Sequence, residues 1–146
     1  MSTGIEWLVD AEGCSAELIR NSEVLRMLCE EVIAKLDLRV VGYPTWHRFP
    51  PPGGVTGLYL LSESHLTCHT FPETGLATFN LYCCRPRPPF AWEQRLHELL
   101  FATNVVVRTV DRGTEVSHRD LLLAGDQSSI ESGISELTST REVSGL

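Results

Sequence analysis

From Leu61 to Cys84 the chain runs through two consecutive stretches in which residue character alternates with a period of two. No other feature constrains the fold as tightly. On an extended strand successive side chains point to opposite faces. His65, Thr67, His69 and Phe71 therefore share one face of the first stretch, and Leu66, Cys68 and Thr70 share the other. In the second stretch Thr78, Asn80, Tyr82 and Cys84 lie on one side, and Ala77, Phe79, Leu81 and Cys83 on the other. Pro72 to Gly75 supplies the turn between them. A plain half-buried sheet carries solvating Lys, Glu and Thr on its wet side. Here that side carries imidazoles, hydroxyls, an amide and a thiol, the inventory of a built site.

The rest of the chain supplies a frame for this pair. Ile5 to Val9 reads as a first strand, with Asp10 to Ser15 a turn. Leu18, Leu25, Leu28, Val32 and Leu36 recur at helical spacing, Glu23, Arg26, Glu30 and Lys35 lie off that stripe, and Asn21-Ser22 is placed to cap it. A second strand is expected over Leu38 to Phe49, ended by the stiff Pro50-Pro51-Pro52 and the pliant Gly53-Gly54. Val55 to Glu63, His65 to Phe71 and Gly75 to Cys84 follow as strands. Arg85-Pro86-Arg87-Pro88-Pro89 breaks the sheet, Ala91 to Ala102 makes a second helix, and Val105 to Val110 is the last strand. This order predicts an α+β two-layer sandwich, a mainly antiparallel sheet with helices on one face. One domain is expected over 1–113, followed by a polar, flexible tail over 114–146, where Ser, Thr, Gly and Glu dominate.

Bulk properties exclude several function classes. A formal net charge of −7 argues against a nucleic-acid surface, which needs clustered Lys and Arg. No apolar run approaches the ~20 residues that cross a bilayer, and the N-terminus lacks a basic-then-apolar signal pattern. The five cysteines, Cys14, Cys29, Cys68, Cys83 and Cys84, are an odd number, which fits reduced thiols in the cytoplasm. Cys29 falls within the apolar helical pattern. Cys83 and Cys84, adjacent on a strand, face opposite ways and do different work.

Gly54-Val55-Thr56-Gly57, then Ser62-Glu63-Ser64-His65-Leu66-Thr67, then His69-Thr70-Phe71-Pro72-Glu73, then Cys84, together carry a family resemblance. The chain resembles the small prokaryotic S-adenosylmethionine decarboxylase proenzymes, most strongly from about His47 to Cys84 and in outline from Ile5 to about Gly113. The resemblance implies that the chain cuts itself between Glu63 and Ser64, giving a β chain 1–63 and an α chain starting at Ser64. The Ser64 hydroxyl would attack the Glu63 carbonyl, exchanging an amide for an ester, and elimination and hydrolysis would leave a pyruvoyl group on the α chain. That group does the electron-sink work of pyridoxal phosphate with no external cofactor. By itself Ser64 reads as a turn serine between two strands; in this company it becomes the first candidate for chemistry.

The same resemblance assigns the other candidates. His69 matches the histidine that abstracts a proton during self-cleavage, a task suited to imidazole. Cys84 matches the cysteine that returns a proton to the substrate after decarboxylation. Thr56 stands where the family usually has a serine that aids processing, keeping the hydroxyl on a stiffer side chain. Phe49 and Phe71 fall at, or within one residue of, aromatics that stack on adenine, and stacking also suits a nearby sulfonium charge. Glu73 matches a carboxylate that accepts hydrogen bonds from ribose. Asn80 replaces a usual acid, and Arg85 follows Cys84 where glycine is common. A homodimer of cleaved protomers acting on a small molecule is implied.

Three alternatives stay open on sequence grounds. A relative on this scaffold could decarboxylate arginine or ornithine. A non-catalytic paralogue could serve as a binding subunit, although such a chain would be expected to lose Ser64 or Cys84. His47, His65, Cys68, His69, Cys83 and Cys84 offer zinc-type ligands, yet no CxxC or helical HxxxH is present, and strand alternation splits Cys68 from His69; no metal is expected.

Overall fold

The computed structural model describes residues 3–113. Nine elements follow in order: β1 (Gly4–Glu12), α1 (Ala16–Ile19), α2 (Ser22–Lys35), β2 (Thr45–Arg48), β3 (Val55–Leu61), β4 (Ser64–Phe71), β5 (Leu76–Cys83), α3 (Trp92–Leu100) and β6 (Asn104–Arg112). The strands form one sheet in the order β2-β3-β4-β5-β1-β6, with every pairing antiparallel. The α+β architecture expected from the sequence is the one observed. The expected tail over 114–146 lies outside the described residues.

One face of this sheet builds the core. Trp7, Val9 and Ala11 of β1, Val55 and Tyr59 of β3, Leu66, Cys68 and Thr70 of β4, and Ala77, Phe79, Leu81 and Cys83 of β5 are all buried. Against them lie Leu25, Leu28, Cys29 and Val32 of α2 and Trp92, Leu96 and Leu100 of α3. The two long helices are tied to each other at the surface, where the Arg95 guanidinium forks onto Glu31 (2.8–3.1 Å) and Lys35 reaches the same carboxylate at 2.8 Å. Those bonds hold the Glu31 carboxyl below the usual carboxylate range. The buried Cys29 thiol meets that of Cys68 across the helix–sheet contact, and this contact, with burial, pushes Cys29 up.

Several boundaries differ from the sequence reading, each for a local reason. β1 runs on through Asp10, Ala11 and Glu12, because Ala11 is fully buried between Ala77 and Val105; the turn waits for Gly13 at φ +66°. The expected first helix is two. Asn21 accepts from the Glu23 N–H (3.0 Å) and starts α2 afresh, leaving Leu18 on the short α1. The expected strand from Leu38 to Phe49 is paired only over Thr45–Arg48. Gly42 at φ +70° and Pro44 interrupt it, and upstream a lone bridge joins Val40 to Leu61. β3 stops at Leu61, so Ser62 and Glu63 form a two-residue turn rather than the end of a strand. α3 ends on Phe101 in the left-handed region, φ 56°.

Candidate active site

The second face of the sheet is not covered by any described helix, and its cross-strand rows place the polar groups. In one row His47 pairs with Thr56, Thr56 with His69, His69 with Thr78, and Thr78 with Asp10. The next row joins Leu58, Thr67, Asn80 and Leu8, and the next Leu60, His65, Tyr82 and Glu6. Thr56 Oγ1 and His69 Nδ1 lie 2.5 Å apart. A shallow cavity of about 310 Å³ sits over these rows, lined among others by Thr56, His69, Thr78 and Asn80. His65 stacks on Tyr82 with centroids 5.5 Å apart and planes 9° from parallel. Asn80 donates to the Glu6 carboxylate at 2.6 Å, and Arg112 also bonds it; the Asn80 bond first, then Arg112, keep the Glu6 carboxyl below its ordinary range.

The sequence-predicted residues fall into two groups. At one end of β4, the Glu63 carbonyl oxygen accepts from the Cys84 N–H at 3.0 Å and from the Cys84 thiol at 2.7 Å. Ser64, the first residue of β4, turns its hydroxyl inward beside Cys83, its cross-strand partner. Ser64 Oγ is buried without a well-formed hydrogen bond. Burial pushes the Cys83 thiol up, and the Ser64 hydroxyl partly offsets this. The Glu63 carboxylate pairs with Arg85 at 2.9 Å and with Arg87 at 3.6 Å. Arg85, a departure noticed in the sequence, therefore has a partner at the expected cleavage bond.

The other group gathers at the far end of the strand. The Phe71 ring packs on His69 with centroids 4.6 Å apart, and Phe49 sits 5.7 Å from His69 and 4.6 Å from His47. Phe49, Phe71, His69 and Glu73 line a second cavity of about 210 Å³, closed on one side by Pro50, Pro52 and Gly54. Gly54 allows this closure, because a Cβ there would stand 2.5 Å from the Thr70 carbonyl oxygen. Behind this end, Thr70 Oγ1 donates to the Ile19 carbonyl at 2.7 Å and accepts from the Val55 N–H at 2.9 Å, pinning α1 and the start of β3 to β4.

One chain does not bring the two groups together. His69 lies five residues beyond Ser64 on the same strand, about 17 Å away at ~3.3 Å per residue, and on the opposite face. Glu6 and Asp10, which border the open-face rows, were not singled out by sequence reasoning. The signal was available in β1, where Glu6, Asp10 and Glu12 recur at even positions of an otherwise apolar strand. The six zinc-type ligands are dispersed: His65 and His69 face the open side, Cys68 and Cys83 the core. Among the described residues no three His, Cys, Asp or Glu side chains converge as a cluster.

The model of the S-adenosylmethionine decarboxylase family matches residues 5–113, most of the chain. An S-adenosylmethionine decarboxylase proenzyme of Archaeoglobus fulgidus is 39% identical over 84 residues, 58% of this chain and 73% of the relative. The proenzyme of Picrophilus torridus is 32% identical over 118 residues, 80% of this chain and 88% of that one. The crystal structure of the adenosylmethionine decarboxylase from Aquifex aeolicus superimposes with a TM-score of 0.66 at 28% identity, covering 80% of this chain and 96% of the other. Family model, relatives and fold agree, and the chain belongs to the S-adenosylmethionine decarboxylase family.

Proposed function

We propose that this chain is a self-processing, pyruvoyl-dependent carboxy-lyase that decarboxylates S-adenosylmethionine for spermidine synthesis. The observation that carries the proposal is the environment of the Glu63–Ser64 bond. Its carbonyl oxygen already holds two donors from Cys84, and the adjacent Ser64 hydroxyl is buried beside the Cys83 thiol without a well-formed hydrogen bond. Donors aimed at a carbonyl stabilise the oxyanion that forms when a nucleophile adds. In the first step Ser64 Oγ bonds to the Glu63 carbonyl carbon, the C–N bond breaks, and the nitrogen leaves as the Ser64 amine. Loss of the Ser64 Cα proton then expels the Glu63 carboxylate from Cβ, and water displaces ammonia. This donor set and the buried hydroxyl fit the generation of a pyruvoyl group at Ser64. The group, once formed, supplies a carbonyl that holds the substrate amine and takes up the electrons released with CO2. Cys84 would hand a proton to the substrate, a role its exposure beside Glu63 supports.

The separation of His69 from Ser64 supports a homodimer in which each protomer completes the other. A proton does not move 17 Å in one transfer, so the His69 that serves one Ser64 belongs to a second copy. The open sheet face supplies a surface for that copy. Leu58, Leu60, Val106 and Val110 are 47, 62, 38 and 39% exposed there. Stacking two such faces covers these groups in the manner of a sheet-on-sheet core. It would also set the cavity of Phe49, Phe71 and Glu73 against the Ser64 end of the partner, where adenine and ribose would bind. Thr56 at 2.5 Å then orients the His69 ring. Free thiols at all five cysteines support a reducing, cytoplasmic setting, and among the described residues no helix is long and apolar enough to cross a membrane.

The test is the intact mass of the purified protein under denaturing conditions. The expected result is two fragments, Met1–Glu63 and an α chain lighter by one ammonia than a serine-started Ser64–Leu146, with Ser64→Ala remaining full length. A wild-type chain that stays whole, or an active Ser64→Ala protein, would refute the proposal.

A further inference from the structure

We propose that Arg87, helped by Arg85, is a positioning residue for chain cleavage. Its guanidinium holds the Glu63 side chain so that the scissile carbonyl stays against Cys84. The inference rests on the reading of Glu63–Ser64 as the bond that is cut, and goes beyond it, since neither arginine touches that bond.

Glu63 sits in a two-residue turn, where the peptide plane is less fixed than inside a ladder. Its carbonyl is aimed by Cys84 alone, through the thiol and the backbone N–H. The carboxylate of the same residue reaches Arg85 at 2.9 Å and Arg87 at 3.6 Å. The two arginines differ in setting. Arg85 is 72% exposed, so its pair is screened by water, whereas Arg87 is 22% exposed. Arg87 also donates through its other terminal nitrogen to the Leu36 carbonyl at 3.3 Å. Leu36 is the C-cap of α2, where helix carbonyls lack internal partners. A planar guanidinium serves two acceptors from a rigid fork, whereas a lysine ammonium is a single point on a flexible stem. Pro86, Pro88 and Pro89 flank Arg87 and fix the backbone φ around it. Cys84 and Arg87 thus belong to one stiff segment that grips the main chain of Glu63 with one residue and its side chain with the other. The segment is anchored to the end of the core helix.

The experiment follows cleavage of freshly synthesised full-length precursor by intact mass over time. Arg87→Met should cut about ten- to a hundredfold more slowly, the scale of a small misplacement of reacting groups. Arg85→Ala should slow cleavage by about threefold at most, as an exposed pair allows. Arg87→Lys should fall between wild type and Arg87→Met. Glu63→Gln should be as slow as Arg87→Met, and the double variant no slower than either, because both remove one contact. Two further readouts separate positioning from mere structure. The thermal midpoint of the uncut Ser64→Ala protein should be the same with and without Glu63→Gln, which breaks the clamp and leaves the Arg87 bond to Leu36 intact. In a His69→Ala background, the fraction of chain cut by hydroxylamine, which captures the ester, should fall with Arg87→Met. Arg87→Met precursor that cuts at the wild-type rate would overturn the clamp while leaving the cleavage reading intact. Slow cutting matched by a lowered midpoint, with an unchanged hydroxylamine fraction, would overturn it as well. A wild-type precursor that never cuts would overturn the cleavage reading itself.

Discussion

Thr70→Val is the substitution whose cost follows most directly from the structure. Thr70 is 1% exposed and its hydroxyl serves two backbone groups at once, the Ile19 carbonyl at 2.7 Å and the Val55 N–H at 2.9 Å. Ile19 and Val55 are themselves fully buried, so neither group can turn to water when the hydroxyl goes. Valine has nearly the shape of threonine, and the change therefore tests the bonds rather than the packing. Each orphaned group costs about 1–3 kcal/mol, giving a loss of about 1–5 kcal/mol once the gain of about 1 kcal/mol from burying a methyl is set against it. Thr70→Ser is the control, since it keeps both bonds and loses one methyl, about 1 kcal/mol. Urea unfolding of both variants should be done in the Ser64→Ala background, where the chain stays in one piece, and at one fixed protein concentration, because the midpoint of a dimer depends on it. The expected order is wild type, then Ser, then Val, with the Val midpoint well below the others. A Val variant within about 0.5 kcal/mol of wild type, or more stable than the Ser variant, would refute the claim that this hydroxyl pins three elements together.

Other expectations follow from the same geometry. Co-expressed Ser64→Ala and His69→Ala chains should complement, with about half of the His69→Ala chains cut if two kinds of protomer pair at random into two-fold dimers; mass analysis that finds no cut chain would show that partners do not exchange His69. Cys84→Ala should still cut, since the backbone N–H to Glu63 remains, but ten- to a hundredfold more slowly, because a thiol is a weaker donor than the amide groups whose loss costs about 10²- to 10³-fold, and the cut protein should lose CO2 release or divert to transamination. Cleavage at the wild-type rate would remove the thiol from the first step. The depressed Glu31 carboxyl adds stability above the ordinary carboxylate range, and that stability is lost as pH falls through its lowered value. Glu31→Gln should therefore lower the thermal midpoint at neutral pH and leave it unchanged in strong acid; equal losses at both ends would show that the Arg95 contact acts through packing.

Much of this was legible in the sequence because period-two alternation reports directly on sheet faces. The assignment of His69 to one face of β4 and Cys68 to the other holds, as does that of Cys83 to the core and Cys84 to the surface. The capping role read for Asn21 is likewise observed. What alternation cannot give is position along the sheet or partners across it. The family resemblance grouped Ser64, His69 and Cys84 as catalytic residues, whereas the five-residue offset from Ser64 to His69 separates His69 from the other two by most of a strand. The expected strand from Leu38 to Phe49 failed because Gly42 and Pro44 carry local rules that outweigh hydropathy. Thr70 was read as one polar group among apolar neighbours, and its double bond to Ile19 and Val55 depends on contacts 51 and 15 residues away. Arg85 looked like a departure from pattern, and only the fold gave it Glu63.

The strand order has a consequence for what a chain cut after Glu63 becomes. β1, β2 and β3 would belong to one piece and β4, β5 and β6 to the other, yet the sheet runs β2-β3-β4-β5-β1-β6. The first piece thus holds an edge of the sheet and also the strand lodged between β5 and β6. Three pairings, β3 with β4, β5 with β1 and β1 with β6, would cross from one piece to the other, as would the packing of α2 on β4 and β5. The pieces would be interleaved like the fingers of two hands, and parting them would mean unfolding both. Folding must then precede cutting, and a processed molecule once denatured faces a second-order search for its mate, slower with every dilution. A single broken peptide bond would turn a molecule that refolds by itself into one whose shape is kept only as long as it is never lost.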